Sequence, residues 1–288
     1  MKDTKKEISR EVGLEVTSIF GKYFIQLDHL HYGYWPDNLK VNTANLHIAQ
    51  EEYVKFVTSH IPAGVKTILD VGCGMGQIAK TLLDMGYKVD CVSPSSFLKK
   101  SAGELLGDKS RIFECFYEDL QTDERYDMIM FCESFQYIKL EKALSKTDCL
   151  LNNGGYLFIC DFFRIDVQSK PFMGGGHKLP KFYDLVSASV FRLIEKVDIT
   201  KETAPNMDLL KDVLEKVIAP SIDAGLRFVN SRFPIILKFI RWKYRKKIQK
   251  FHEKYLTGNI TGENFKRDKR YLFLLYKKDI QIGSIRSV

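Results

Sequence analysis

Apolar positions along the chain follow two rhythms. Ile8, Val12, Val16 and Ile19 stand three or four apart, the spacing of one helical face, and a second such pattern covers roughly 42–60 before Pro62. From residue 66 the texture changes to short apolar runs separated by helical stretches. Residues 66–71 (KTILDV), 87–92 (YKVDCV), 111–116, 126–132, 155–162 (GYLFICDF) and 191–199 read as buried strands. Helical patterns at 77–86, about 95–105, 138–151 and 179–190 fall between them. Residues 207–257 break the alternation with a long helical block, and 270–276 form a last apolar strand. Strands alternating with helices predict an α/β fold. Its sheet is doubly wound, mostly parallel and seven-stranded, with an N-terminal helical lid and a helical insertion before the final strand. The expected organisation is a lid over 1–60, a core over 61–200, a cap over 201–265, and a closing strand and tail over 266–288.

Composition narrows the class without changing this picture. With 45 % hydrophobic and 28 % charged residues in 288, the chain has the balance of a soluble globular protein. No apolar run reaches the roughly 18 residues of a membrane span. The opening MKDTKKEISREVG has no apolar stretch behind it, so no secretory signal is expected. Six cysteines lie mostly inside apolar runs with no CxxC pair, which reads as reduced packing residues in a cytoplasmic protein, with no metal site. The net charge of +8 makes the surface moderately basic.

The most informative segment joins the first strand to the next helix: Ile68-Leu69-Asp70-Val71-Gly72-Cys73-Gly74-Met75-Gly76-Gln77. Glycines there let the backbone turn sharply and let a ligand approach the main chain with no Cβ in the way. A dinucleotide turn is spaced GxGxxG. Here the spacing is GxGxG, with Asp70 ahead of it and Gln77 in the place of the third dinucleotide glycine.

This segment resembles the nucleotide-binding motif of class I S-adenosylmethionine-dependent methyltransferases, which implies their Rossmann-like fold. The resemblance extends over roughly 25–200 and the last strand. Tyr126-Asp127-Met128-Ile129-Met130 is similar to that family's fourth strand, Asn153-Gly154-Gly155-Tyr156-Leu157 to the turn into its fifth, and Asp198-Ile199-Thr200 to a run after its sixth. His31-Tyr32-Gly33-Tyr34-Trp35 resembles the aromatic lid of the cyclopropane-synthase-like and tocopherol-methyltransferase-like branch.

The resemblance implies S-adenosylmethionine as cofactor and S-adenosylhomocysteine as product. Gly72, Cys73, Gly74 and Gly76 would admit the methionine and ribose portions, and Asp70 would hold the ammonium end. Glu133 and Ser134 would lie near the methionine part and the acceptor, under a lid carrying Tyr32, Tyr34 and Trp35. Two departures stand out. Where the family often ends its second strand with a ribose-binding acid, this chain has Ser93-Pro94-Ser95, so a hydroxyl must serve. Phe116 occupies the usual place of an adenine-contacting acid, with Glu118 or Asp119 displaced, and a solvated acidic turn is an equal reading of those two.

The implied reaction is methyl transfer to the carbon, nitrogen or oxygen of a small or lipid-like, partly apolar acceptor. Candidate bases are His31, Glu133, Tyr137 and His177, with a plain loop or cap role as the alternative for each histidine. Gln136 and Tyr137 stand where cyclopropane synthases carry a Glu-His pair, which argues against that reaction. Residues 235–257 read as an amphipathic helix. Leu237, Ile240, Tyr244, Ile248, Phe251 and Tyr255 share one face, and Arg241, Lys243, Arg245, Lys246, Lys247, Lys250 and Lys254 crowd the rest. Its apolar side is expected on the core, and the second reading is a surface for anionic lipid or an acidic substrate. No Asp/Asn-Pro-Pro-Tyr run follows the fourth strand, so nucleic acid is not the expected partner. An RNA methyltransferase and a cofactor-binding scaffold without turnover are the alternatives.

Overall fold

A computed structural model describes residues 11–16, 21, 29–165, 174–255 and 259–280. Much of the N-terminal helical pattern, and Met173 ahead of the Gly174-Gly175-Gly176 loop, lie outside the described residues. Residues 11–16 are helical as the spacing predicts, and Val12 and Val16 are exposed there.

Seven strands form one sheet: β1 (Thr67–Val71), β2 (Lys88–Val92), β3 (Ile112–Phe113), β4 (Tyr126–Cys132), β5 (Leu151–Arg164), β6 (Phe191–Asp198) and β7 (Lys269–Lys278). Their order is β3-β2-β1-β4-β5-β7-β6, with β7 antiparallel to both β5 and β6 and the pairs from β3 to β5 parallel. The strand period of two sorts the apolar residues onto two faces. Ile68, Met130 and Phe158 face one layer, and Leu69, Ile129 and Leu157 the other, so each face builds its own core. Burial on both faces explains why these strands read as continuous apolar runs.

Two strands differ from expectation. The predicted strand at 111–116 keeps only Ile112 and Phe113 in the ladder, and the chain then turns through residues 117–119. Conversely, β5 begins at Leu151, ahead of the Gly154-Gly155 turn, because Leu151 pairs with Tyr126 across an irregularity in register.

The helices α1 (Leu46–Ser59), α2 (Gln77–Asp84), α3 (Ser96–Leu106), α4 (Leu140–Leu150) and α5 (Leu179–Ser187) cover the sheet. After β6 come α6 (Thr200–Thr203), α7 (Pro205–Val213), a π-helical turn (Leu214–Ile218), α8 (Ala219–Arg232), α9 (Pro234–Tyr255) and α10 (Gly262–Asp268). Proline at an N-terminus suits a helix start, because its missing N–H has no intrahelical partner there. The expectation that the apolar side of α9 packs on the core is not met: Leu237 is buried, whereas Ile240, Tyr244 and Ile248 are exposed. The side chains of Phe251 and Tyr255 lie outside the described residues.

One buried residue ties the aromatic segment around Gly33 and Trp35 to the rest of the fold. Asn206 on α7 accepts from Gly33 N (2.9 Å) and Trp35 Nε1 (3.2 Å) and donates to the carbonyls of Gly33 and Thr203. Replacing it by alanine strands several buried polar groups at once, each costing about 1–3 kcal/mol when unpaired. Asn206→Ala is therefore expected to lose about 2–4 kcal/mol of stability, measured by urea denaturation.

Candidate active site

The carboxyl ends of β1, β2 and β4 converge, which in an open α/β sheet is where ligands sit. Gly72 N donates to Val92 O (2.8 Å), and the Ser134 hydroxyl donates to the Val71 carbonyl. These bonds bring residues 72–76, 93–95 and 133–134 together at one end of the sheet. The three glycines divide the work. A Cβ on Gly72 would collide with the Ser134 side chain, and one on Gly76 would press on Ala102 of α3. Gly74, at φ +57°, has only Leu30 within 4 Å of where a Cβ would stand, at 3.9 Å, so its main chain is otherwise open to a ligand. Cys73 is buried, and its carbonyl closes the turn by accepting from Gly76 N (2.9 Å).

Asp70 is buried at 2 % exposure, and its Oδ2 has no hydrogen-bond partner. Burial alone pushes its carboxyl up to about 7. A buried acid with an unanswered oxygen is costly unless a cation or donor meets it. Two more acceptors are orphaned in the lid: Gln50 Oε1 and His31 Nε2. The His31 Nδ1–H donates to the Tyr32 carbonyl (2.8 Å), which leaves a bare lone pair on Nε2. Its ring lies against Tyr53 and His29, and burial, helped by His29, lowers its pKa to about 3. His31 is thus a neutral acceptor and a weak base.

Glu133 follows β4 and carries the one positive φ (59°) of a non-glycine residue among the described residues. Such a conformation persists only when the surroundings impose it. Its N–H donates to Cys160 O, and its Oε1 accepts from Tyr32 N (2.7 Å) and the Tyr271 hydroxyl (2.8 Å), which lies 3.0 Å from the Tyr53 hydroxyl. Burial, with the charge of Asp161 adding to it, pushes the Glu133 carboxyl up to about 8 despite both hydrogen bonds. Asp161 accepts from the backbone N and side-chain Nε2 of Gln136, and burial pushes it up to about 7. Gln136 Oε1 in turn accepts from Gly176 N, while the Lys269 ammonium donates to Gly175 O (2.6 Å), so the glycine loop is pinned from two sides. The rings of Tyr32, Phe162, Phe265 and Tyr271 pack around this point, with Tyr32 at 6.2–6.3 Å from the other three.

The remaining candidates take other places. Tyr34 stacks on Phe56 at 5.3 Å, and Trp35 is buried against Ala49 and Leu209, so both serve lid packing in these contacts. The Ser93 hydroxyl accepts from Ser95 N, Ser95 caps α3 through Leu98 N and donates to Glu11, and Pro94 is exposed. Glu118 is half-buried and Asp119 exposed on the turn after β3. Tyr137 is 81 % exposed at the end of the turn after Glu133. The His177 Nε2–H donates to Phe135 O (3.0 Å), which fixes the ring against the backbone. The sequence reading missed Gln50, Tyr53, Asp161 and Tyr271. Asp161 had a visible signal, a lone acid inside the apolar run FICDFF.

The donor set tests which ligand fits. Unanswered acceptors at Asp70, Gln50 and His31, and an open face at Gly74, suit a ligand bearing an ammonium group close to the main chain.

Residues 69–159 match the family described as a methyltransferase domain. A protein of Geobacillus thermodenitrificans (strain NG80-2), named an uncharacterized methyltransferase, is 29 % identical over 100 residues, 33 % of this chain and 46 % of that protein. The chain therefore spans about half the length of the curated relatives it matches. In fold it is similar to the [4+2]-cyclase SpnF, with a TM-score of 0.65 and 15 % identity, covering 94 % of this chain and 96 % of that one. It is also similar to geranyl diphosphate C-methyltransferase from Streptomyces coelicolor A3(2), solved with S-adenosyl-L-homocysteine, with a TM-score of 0.62 and 16 % identity over 92 % and 91 % of the two chains. A cyclase and a methyltransferase on one fold leave the reaction to the site.

Proposed function

We propose that the chain binds S-adenosylmethionine at the glycine turn and transfers its methyl group to a small, partly apolar acceptor. The observation that carries this reading is the buried Asp70 carboxyl, whose Oδ2 has no partner in the protein, beside the open face of Gly74. When bound, the sulfonium supplies an already activated methyl group. Asp70 would hold the amino end, Gly74 would allow close approach, and Ser93 and either Glu118 or Asp119 would serve the ribose and adenine. The protein's own task is to orient the acceptor and keep water out. The aromatic rings of Tyr32, Phe162, Phe265 and Tyr271 give the acceptor side an apolar wall, which favours a hydrocarbon-bearing substrate. Glu133 is the base, able to take a proton from an acceptor hydroxyl, amine or acidic carbon once it is ionised. Incubation with a labelled methyl donor and small-molecule extracts should yield a labelled product and S-adenosylhomocysteine. Cofactor binding with no turnover on any extract would instead support the scaffold reading.

Cofactor binding should depend on pH through Asp70. Its free carboxyl titrates near 7, and only the ionised form pairs with an ammonium group. Affinity should fall towards tenfold per unit below about pH 7, with a proton released on binding in acid, and fall again above about pH 8, where an α-amino group loses its proton. Calorimetric titrations at several pH values, in buffers of different ionisation heat, measure both.

A further inference from the structure

Helices α8 and α9 form an arm that buries almost nothing of its own. From residue 215 to 249, Leu237 is the one buried residue among those described, and α9 packs mainly on α8. A helical stretch of that length in a globular protein normally hides an apolar stripe. Here the large apolar side chains face solvent instead: Phe228, Ile235, Ile236, Phe239, Trp242 and Ile248 are each at least 48 % exposed. The charge is equally lopsided. Residues 226–250 hold nine Lys and Arg and no acid, so the other 35 cations and 36 acids of the chain nearly cancel, and the excess of +8 resides in this arm. Cations also sit over the exposed rings, Lys243 at 5.7 Å from the Phe239 centroid and Arg232 at 6.0 Å from that of Phe228.

We infer that the arm is a docking surface for an anionic lipid membrane, on which α9 lies in the interfacial plane. Each feature matches that partner. Aromatic and aliphatic side chains with interleaved Lys and Arg suit the boundary between acyl chains and head groups. An acid-free cationic stretch complements the negative surface potential of anionic lipids. No helix among the described residues is long and apolar enough to cross a membrane, so the contact is peripheral. A second copy of this chain fits less well, because two such arms would bring nine cations against nine. RNA would use the charge but leave the Ile235 and Ile236 side chains in water.

The chain contains its own reporter. Of its two tryptophans, Trp35 is 3 % exposed and Trp242 is 64 % exposed, so a change in emission reads the arm. The full chain is mixed with vesicles of phosphatidylcholine alone or with phosphatidylglycerol, and both co-sedimentation and tryptophan emission are followed. Anionic vesicles should sediment the protein and shift its emission to the blue, and neutral vesicles should do neither. Trp242→Phe should sediment as before with the shift gone. Removing three charges (Arg241→Ser, Lys243→Ser, Lys246→Ser) should weaken partitioning about 100-fold, from roughly tenfold or less per charge. Three results overturn the inference: no sedimentation with anionic vesicles; a dimer in solution whose Trp242 already emits in the blue without lipid; or an emission change with RNA and none with vesicles.

Discussion

Glu133→Gln should lower kcat by about 100-fold or more while leaving the affinity for S-adenosylmethionine within about threefold. The split follows from where the carboxyl stands. Its Oε1 is held by Tyr32 N and the Tyr271 hydroxyl among the acceptor-side rings, whereas the unanswered Asp70 oxygen lies by the glycine turn. Because burial pushes Glu133 up to about 8, and a base must be ionised, kcat in the wild type should rise with pH through about 8 and level above it. Tyr271→Phe removes a hydrogen bond that favours the ionised form, so its rising limb should move to higher pH. A Glu133→Gln enzyme with unchanged kcat and the same pH profile would leave proton transfer without a residue.

Asp70→Asn should weaken S-adenosylmethionine binding by roughly 30- to 1000-fold, the equivalent of about 2–4 kcal/mol for a lost buried charge pair. The free protein should not suffer. At pH 8 Asp70 is ionised, buried and unpaired, so asparagine removes an unfavourable charge and the unfolding temperature should hold or rise. Gly74→Val gives the complementary test. A Cβ there would meet only Leu30, at 3.9 Å, in the free protein, so the harm to folding comes mainly from the strain of φ +57°, about 1–3 kcal/mol. In the crevice the same side chain fills the ligand's path, and binding should drop at least 100-fold. Calorimetry for affinity and thermal unfolding for stability separate the two effects.

The sheet was legible because its strands are buried on both faces, and the glycine turn because its spacing has a backbone reason. Asp70 stood out as the acid ahead of the glycine turn, Glu133 and Ser134 came from the resemblance, and the fold brings all three to one end of the sheet. Other parts of the site depend on contacts that no local pattern reveals. Trp35 reads as a lid aromatic, yet its indole is claimed by Asn206, far along the chain. Tyr53 and Tyr271 fit the apolar periods of their elements, and period alone does not register that their hydroxyls meet over Glu133. The strand at 111–116 fails after Phe113 because an edge strand has one neighbour to hold it, and β2 offers pairing only to Ile112 and Phe113. In α9 the helical period is present, but a period states which residues share a face and not what covers it.

The account rests on a cationic amino acid end meeting Asp70, and a crystal grown with S-adenosylhomocysteine tests it most directly. The expected density lies along the turn from Gly72 to Gly76, with an amino group within hydrogen-bond distance of Asp70 Oδ2. Density elsewhere, or a cation of the protein itself swung onto Asp70 with the crevice closed, would contradict it.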